Sequence, residues 1–161
     1  MKKGAIIKYW DNVRRLTLDV LERFPDDKLS YRPIPTVRTV AEQFEHILAE
    51  EIFVRNGLML KLWENVPSPN EACTDKGVLA EMLRREHETT SRVLRMLPPD
   101  TFGVFHETPY GQMTTEAVIY LTIDEEIHHR GNLYVYLRLL NIVPPQMVQN
   151  YGELFMEDND G

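Results

Sequence analysis

The chain has 161 residues, a formal net charge of −7 and one cysteine, Cys73, so it can form one domain with its own core but no internal disulfide. The acidic balance argues against a general nucleic-acid binder, and no apolar run reaches the ~18–20 residues of a membrane span or forms a signal peptide at the start. We therefore expect a single cytoplasmic domain over residues 1–161, without nucleic-acid or membrane partners.

Apolar residues at helical spacing predict two long helices in the first half of the chain. The first runs from about residue 3 to residue 24, and Pro25 ends it. The second spans roughly 39–64, where Thr39 and Glu42 have the spacing of a capping box. The residues of this helix that we expect in the core are Val40, Phe44, Ile47, Val54, Leu58 and Leu62.

The second half of the chain predicts two more long helices, over about 75–97 and 115–141. The connection 100–113 between them is less helical, and its partial alternation and turn signals allow a short hairpin. Residues 146–161 are expected to form a partly irregular tail. Four amphipathic helices with short to medium connections predict an all-α protein, an antiparallel four-helix bundle.

The fourth helix carries polar residues in the middle of its predicted core stripe. That stripe consists of Val118, Leu121, Glu125, His129, Asn132, Tyr136 and Leu140. Glu125 and His129 are four residues apart, so their side chains lie one turn apart on the same face and could hold one ion. His128 points about 100° away from His129, which makes it a rim residue.

The second helix offers a counterpart, because His46 lies in an apolar stretch with Glu50 one turn further on. Glu86 of the third helix also falls on the core side. His46, Glu125 and His129 together supply three ligands from two helices, which is the number that a catalytic metal site uses. The spacing alone also allows a hydrogen-bonded core histidine and an ordinary surface Glu–His pair.

Segments around both candidate histidines match the pattern of a known family. These segments are 31–33 (YRP), 39–42 (TVAE), 45–47 (EHI), 128–133 (HHRGNL), 136–140 (YLRLL) and 144–145 (PP). With them the chain resembles, over nearly its whole length, the DinB-like family of DinB/YfiT-like four-helix-bundle metalloenzymes. The motif in the fourth helix is fairly specific, whereas the one in the second helix would be weak alone.

The resemblance implies a divalent metal held by three histidines, one from helix two and two from helix four. By position these are His46, residue 125 and His129. This chain departs from the pattern with Glu125 in place of the usual His, Asn132 in place of Gln and Asn141 in place of Gly. A carboxylate is still a metal ligand, and it moves the preference among Zn, Ni, Fe and Mn towards Fe, Mn or Zn.

Two classes of function follow from this resemblance and its departures. The first is a homodimeric, metal-dependent transferase, isomerase or hydrolase that acts on a small molecule, with a low-molecular-weight thiol as cosubstrate. Cys73 is then an ordinary thiol, and no catalytic residue is assigned. The alternative is a non-catalytic dimeric bundle with a degenerate metal site that binds a small ligand or a protein. In that case Glu125 would face the ligand or form an ion pair with Arg130 or an arginine of helix three.

Overall fold

The computed structural model describes residues 3–67, 69 and 71–148. Its elements are α1 (Lys3–Arg23), α2 (Val40–Leu60), α3 (Lys76–Met96), β1 (Phe105–Thr108), β2 (Gly111–Thr114) and α4 (Thr115–Leu139), with two short 3₁₀ helices at Asp26–Lys28 and Pro99–Gly103. The prediction of a mainly helical protein with four long helices is confirmed, and so is the short hairpin. Most of the predicted tail lies outside the described residues. No helix in the described part of the chain combines the length and apolarity needed to cross a membrane.

The start of α2 has the predicted capping box. The backbone N–H of Glu42 donates to the hydroxyl of Thr39 at 3.2 Å, and the carboxylate of Glu42 accepts from the backbone N–H of Thr39 at 2.6 Å. Thr114 and Asp75 cap α4 and α3 in the same way, by accepting a backbone N–H with their side chains. Caps of this kind satisfy backbone donors that lack a partner within the helix.

The end of α2 comes four residues earlier than the sequence predicts. Lys61 adopts a left-handed conformation with φ 59°, and its N–H bonds back to the carbonyls of Asn56 and Gly57. This is a helix-terminating geometry, because the next residues leave the helix axis. Leu62 therefore lies beyond the helix and is 42% exposed, so its predicted place in the core is wrong.

The core consists of two hydrophobic clusters, one towards each end of the helices. One cluster contains the C-terminal halves of α1 and α4 and the N-terminal halves of α2 and α3. The other contains the opposite half of each helix. It follows that α1 and α4 run in one direction and that α2 and α3 run in the other.

Helix neighbours are therefore of two kinds. The pairs α1–α3 and α2–α4 are antiparallel, whereas α1–α4 and α2–α3 pack side by side in parallel. The prediction of an antiparallel bundle thus describes only two of these four pairs. The connection 61–75 accounts for the parallel pair α2–α3, because 15 extended residues reach about 50 Å and can return along a helix of 21 residues, which is about 32 Å long.

Candidate metal centre

The antiparallel packing of α2 on α4 brings together the three predicted metal ligands, His46, Glu125 and His129. Each offers one ligand atom, and these atoms all lie within 4.8 Å of one another. His129 Nε2 is 3.6 Å from Glu125 Oε2, and the rings of His46 and His129 meet edge to face with centroids 4.5 Å apart. Because ligand atoms lie about 2.0–2.2 Å from a bound divalent ion, small side-chain rotations would close this set around one ion.

The three side chains differ in their exposure to solvent. The side chain of His129 is only 6% exposed, whereas that of Glu125 is 41% exposed. His46 is half-buried, and the carboxylate of Glu50 lies 3.7 Å from its Nε2. His128 is exposed, as expected of a rim residue, with its ring next to that of His129. The centre is therefore closed on the His129 side and open on the Glu125 side, where water or a ligand has access.

The electrostatic environment keeps both imidazoles neutral at pH 7. Burial lowers the pKa of His129 to about 4, and the neighbouring imidazoles and the guanidinium of Arg38 act in the same direction. Burial and Arg38 also lower the pKa of His46, although Glu125 acts in the opposite direction. A neutral imidazole has the lone pair that a metal ligand needs. Burial, and then the Glu125 carboxylate, raises the pKa of Glu50.

The side chain of His129 is also held from behind by a chain of hydrogen bonds. Its Nδ1 lies 2.6 Å from Oε1 of Gln43, and Nε2 of Gln43 donates to the Tyr136 hydroxyl at 3.2 Å. That hydroxyl donates to the carbonyl of Arg38 at 2.9 Å. Sequence reasoning did not assign Gln43 to the site, although its place three residues before His46, on the same face of α2, was a usable signal.

Glu86 and Cys73, which the sequence analysis also considered, lie outside the candidate metal centre. Glu86 pairs with Arg55 at 2.7 Å, so it links α3 to α2 and does not belong to the three-residue group. Cys73 is half-buried, and its thiol donates to the carbonyl of Asp75 at 3.3 Å.

A layer of buried charges, with one side chain from each helix, was missed from the sequence. Arg14 of α1 makes two hydrogen bonds to the carboxylate of Glu126 on α4, at 2.9 and 3.0 Å. It also pairs with Glu51 of α2 at 2.8 Å, and Glu51 in turn contacts Nδ1 of His87 on α3 at 3.1 Å. All four residues are at most 8% exposed.

This layer corrects the idea that Glu125 could form a buried ion pair. Its neighbour Glu126 forms that pair, because one residue turns the side chain by about 100° towards Arg14 on α1. Arg130, one of the expected partners of Glu125, donates instead to the carbonyl of Val13 at 2.9 Å.

His87 lies between two carboxylates, one at each ring nitrogen. Its Nε2 is 3.0 Å from Oδ1 of Asp11, which also accepts a hydrogen bond from Ser91 at 2.7 Å. The hydroxyl of Ser91 also lies 3.5 Å from Nε2 of His87, so Ser91, His87 and Glu51 resemble the order of a nucleophilic triad. However, against the effect of burial, the carboxylate at each nitrogen raises the pKa of His87 and favours the form protonated on both nitrogens, which has no lone pair with which to activate Ser91.

Comparisons with known proteins agree with this fold. The chain is 30% identical over 143 residues to the uncharacterized protein YjoA of Bacillus subtilis strain 168, covering 85% of this chain and 90% of that protein. The crystal structure of YjoA, a DinB-like protein, matches with a TM-score of 0.72 and 25% identity over 88% of this chain and 96% of that one.

A second crystal structure, of a DinB-like protein from Bacillus cereus ATCC 10987, matches with a TM-score of 0.74 over 88% of this chain and 94% of that one. Its identity of 19% supports the fold alone. The family model described as "DinB family" matches residues 1–157, nearly the whole chain. The resemblance noted in the sequence is therefore confirmed, and the chain belongs to the DinB family.

Proposed function

We propose that the protein binds a divalent metal ion through His46, Glu125 and His129. The observation that carries this proposal is the convergence of the three side chains from two helices, with their ligand atoms within 4.8 Å of one another. Two neutral imidazoles and one carboxylate fit Zn, Fe or Mn, and Ni also accepts imidazole ligands. Three protein ligands leave further coordination positions for water or substrate.

The activity that fits this centre is metal-dependent transfer, isomerisation or hydrolysis of a small molecule. A bound divalent ion supplies Lewis acidity, which lowers the pKa of a water or of a low-molecular-weight thiol. Glu125 contributes negative charge at the open mouth, and the buried His129 keeps water away from the back of the centre. Because the thiol is a cosubstrate in this proposal, Cys73 is not required.

We also propose that the four helices have a DinB/YfiT-like arrangement and that the protein is a cytoplasmic homodimer. The family resemblance and the sequence support these proposals. The net charge of −7 supports a small-molecule substrate over nucleic acid.

The direct test is elemental analysis of protein purified without added metal and without a nickel column. We expect about one divalent ion per chain in the wild-type protein and a large loss in Glu125→Ala, on the order of 100-fold in affinity, since even residues that only orient a ligand contribute about 10–100-fold. Asp124→Ala is the matched control, because Asp124 is the preceding carboxylate on α4 and is exposed. Little metal in the wild-type protein, unchanged by Glu125→Ala, would contradict the proposal and favour the non-catalytic alternative.

A second variant tests whether residue 125 coordinates the ion. Glu125→His restores the ligand usual in the family, and we expect it to bind metal at least as tightly as the wild-type protein, with a stronger preference for Zn or Ni over Mn. Competition titrations with a chelator of known affinity measure this change. Equal affinities and preferences in the two proteins would place residue 125 outside the coordination shell.

A further inference from the structure

The hydrogen bonds behind His129 determine which of its two ring nitrogens carries the proton. A neutral imidazole has one donor nitrogen and one acceptor nitrogen. Nδ1 of His129 faces Oε1 of Gln43 at 2.6 Å, whereas Nε2 faces the carboxylate of Glu125. Only one of the two ring nitrogens can have a lone pair for a metal ion, so the orientation of the Gln43 amide matters.

The orientation of that amide is fixed by Tyr136. The tyrosine hydroxyl has a single proton, and it donates this proton to the carbonyl of Arg38. It can therefore only accept from Gln43, so the amide nitrogen of Gln43 faces Tyr136. The amide oxygen then faces His129 and accepts from Nδ1–H. A flipped amide would leave the tyrosine with two acceptors and one proton.

We propose that Gln43 and Tyr136 are positioning residues that hold His129 in the Nδ1–H tautomer and turn Nε2 towards the metal centre. Gln43 is 4% exposed and Tyr136 is 5% exposed, so water does not compete for these hydrogen bonds. Ligand histidines commonly donate their second nitrogen to a carbonyl or carboxylate, which fixes the tautomer and makes the ligand more basic. The tautomer is a property of the metal-free protein, whereas its effect on metal affinity rests on the proposed function.

The tautomer can be measured without metal. In metal-free protein at neutral pH, two-bond ¹H–¹⁵N spectra of the histidine rings should show His129 as the Nδ1–H form. Gln43→Leu removes the acceptor at nearly constant volume, and we expect a shift towards the Nε2–H form. Gln43→Glu supplies an acceptor to Nδ1–H, although no donor to Tyr136, so the Nδ1–H form should return. Gln112→Leu, at an exposed glutamine of β2, is the control that should change nothing at His129.

The second measurement is metal affinity, with Zn²⁺ and Co²⁺ as probes. We expect Gln43→Leu to lower the affinity by about 10–100-fold and to change the Co²⁺ absorption spectrum, and Gln43→Glu to retain both. Tyr136→Phe frees the amide to flip, so its loss should be smaller. Circular dichroism melting identifies any variant that has not folded, and the folded Gln43→Glu protein then carries the comparison with the wild type.

The results separate this inference from the proposed function. An Nε2–H tautomer of His129 in the wild-type protein, or an unchanged tautomer in Gln43→Leu, would overturn the role of Gln43. If the tautomer shifts as expected but neither protein binds metal, the positioning role stands and the metal-binding proposal fails. If metal binds and Gln43→Leu changes neither the tautomer nor the affinity, the metal proposal stands and the positioning role fails.

Discussion

Replacing Arg14 with alanine is expected to destabilise the protein by about 3–5 kcal/mol, the usual cost of breaking a buried ion pair by removing one partner. The guanidinium is 2% exposed and touches both Glu51 and Glu126. Its loss would leave two carboxylates in the core without their counter-ion, and a buried charge without a partner is costly. Urea denaturation monitored by circular dichroism at neutral pH measures the change in the free energy of unfolding.

The neighbouring arginine is a matched control for this experiment. Arg15 is 40% exposed and pairs with Asp19 one turn away, so Arg15→Ala should cost only about 0.3–0.5 kcal/mol. The triple variant Arg14→Met, Glu51→Leu, Glu126→Leu removes the arginine together with both carboxylates and leaves His87 paired with Asp11, so much of the loss should be recovered. Equal effects of Arg14→Ala and Arg15→Ala would show that the buried layer does not stabilise the fold.

The starts of the helices could be predicted closely, because their signals are local, whereas α2 ends four residues before its predicted end. Pro25 lies just after the end of α1. Thr39, with Glu42 as its capping-box partner, caps α2 and directly precedes the first helical residue. The directions of the helices are a different matter, since an apolar stripe says which face is buried but not which helix covers it. The length of the connection 61–75 was the available signal for a parallel neighbour.

The candidate metal ligands could be predicted from the sequence, whereas the charge layer could not. Glu125 and His129 stand out by their i,i+4 spacing, but Glu126 looks like a surface residue next to them. The reason lies in the packing of α4, which contacts both α1 and α2 and is therefore buried on two adjoining faces. A single stripe describes one face only. The burial of Glu51 was easier to predict, because Glu51 lies four residues after Ile47, within the predicted core stripe of α2.

The free energy of unfolding is expected to fall as the pH rises above about 6.5, because of His87. Burial acts to lower the pKa of this imidazole, but hydrogen bonds to Asp11 and Glu51 outweigh it and raise the pKa above 6.5. A raised pKa in the folded state gives stability that is complete below the unfolded value and is lost as the pH rises through the folded value. The slope is up to about 1.4 kcal/mol per pH unit while the folded protein holds one extra proton.

The lowered pKa values of Glu51, His46, His106 and His129 place these groups below this alkaline range. Arg14 and His87 hold the pKa of Glu51 down at about 2 against the effect of burial, so its contribution is lost only in acid. Burial lowers the pKa of His46, His106 and His129, and their effect on stability is therefore complete by about pH 6.5. The decline above that pH isolates His87, provided that a chelator removes any metal, since a bound ion stabilises the folded state.

Two glutamine variants distinguish deprotonation of His87 from a general loss of stability at alkaline pH. His87→Gln has no imidazolium between Asp11 and Glu51, so its urea-unfolding free energy should be lower below pH 6.5 and nearly flat from about pH 6.5 to about pH 9. His106→Gln removes another buried histidine, one that hydrogen-bonds to Thr115, and it should retain the alkaline decline of the wild-type protein. A decline that persists unchanged in His87→Gln would mean that the buried imidazole is not the group that titrates, and that the charge layer is stable without its proton.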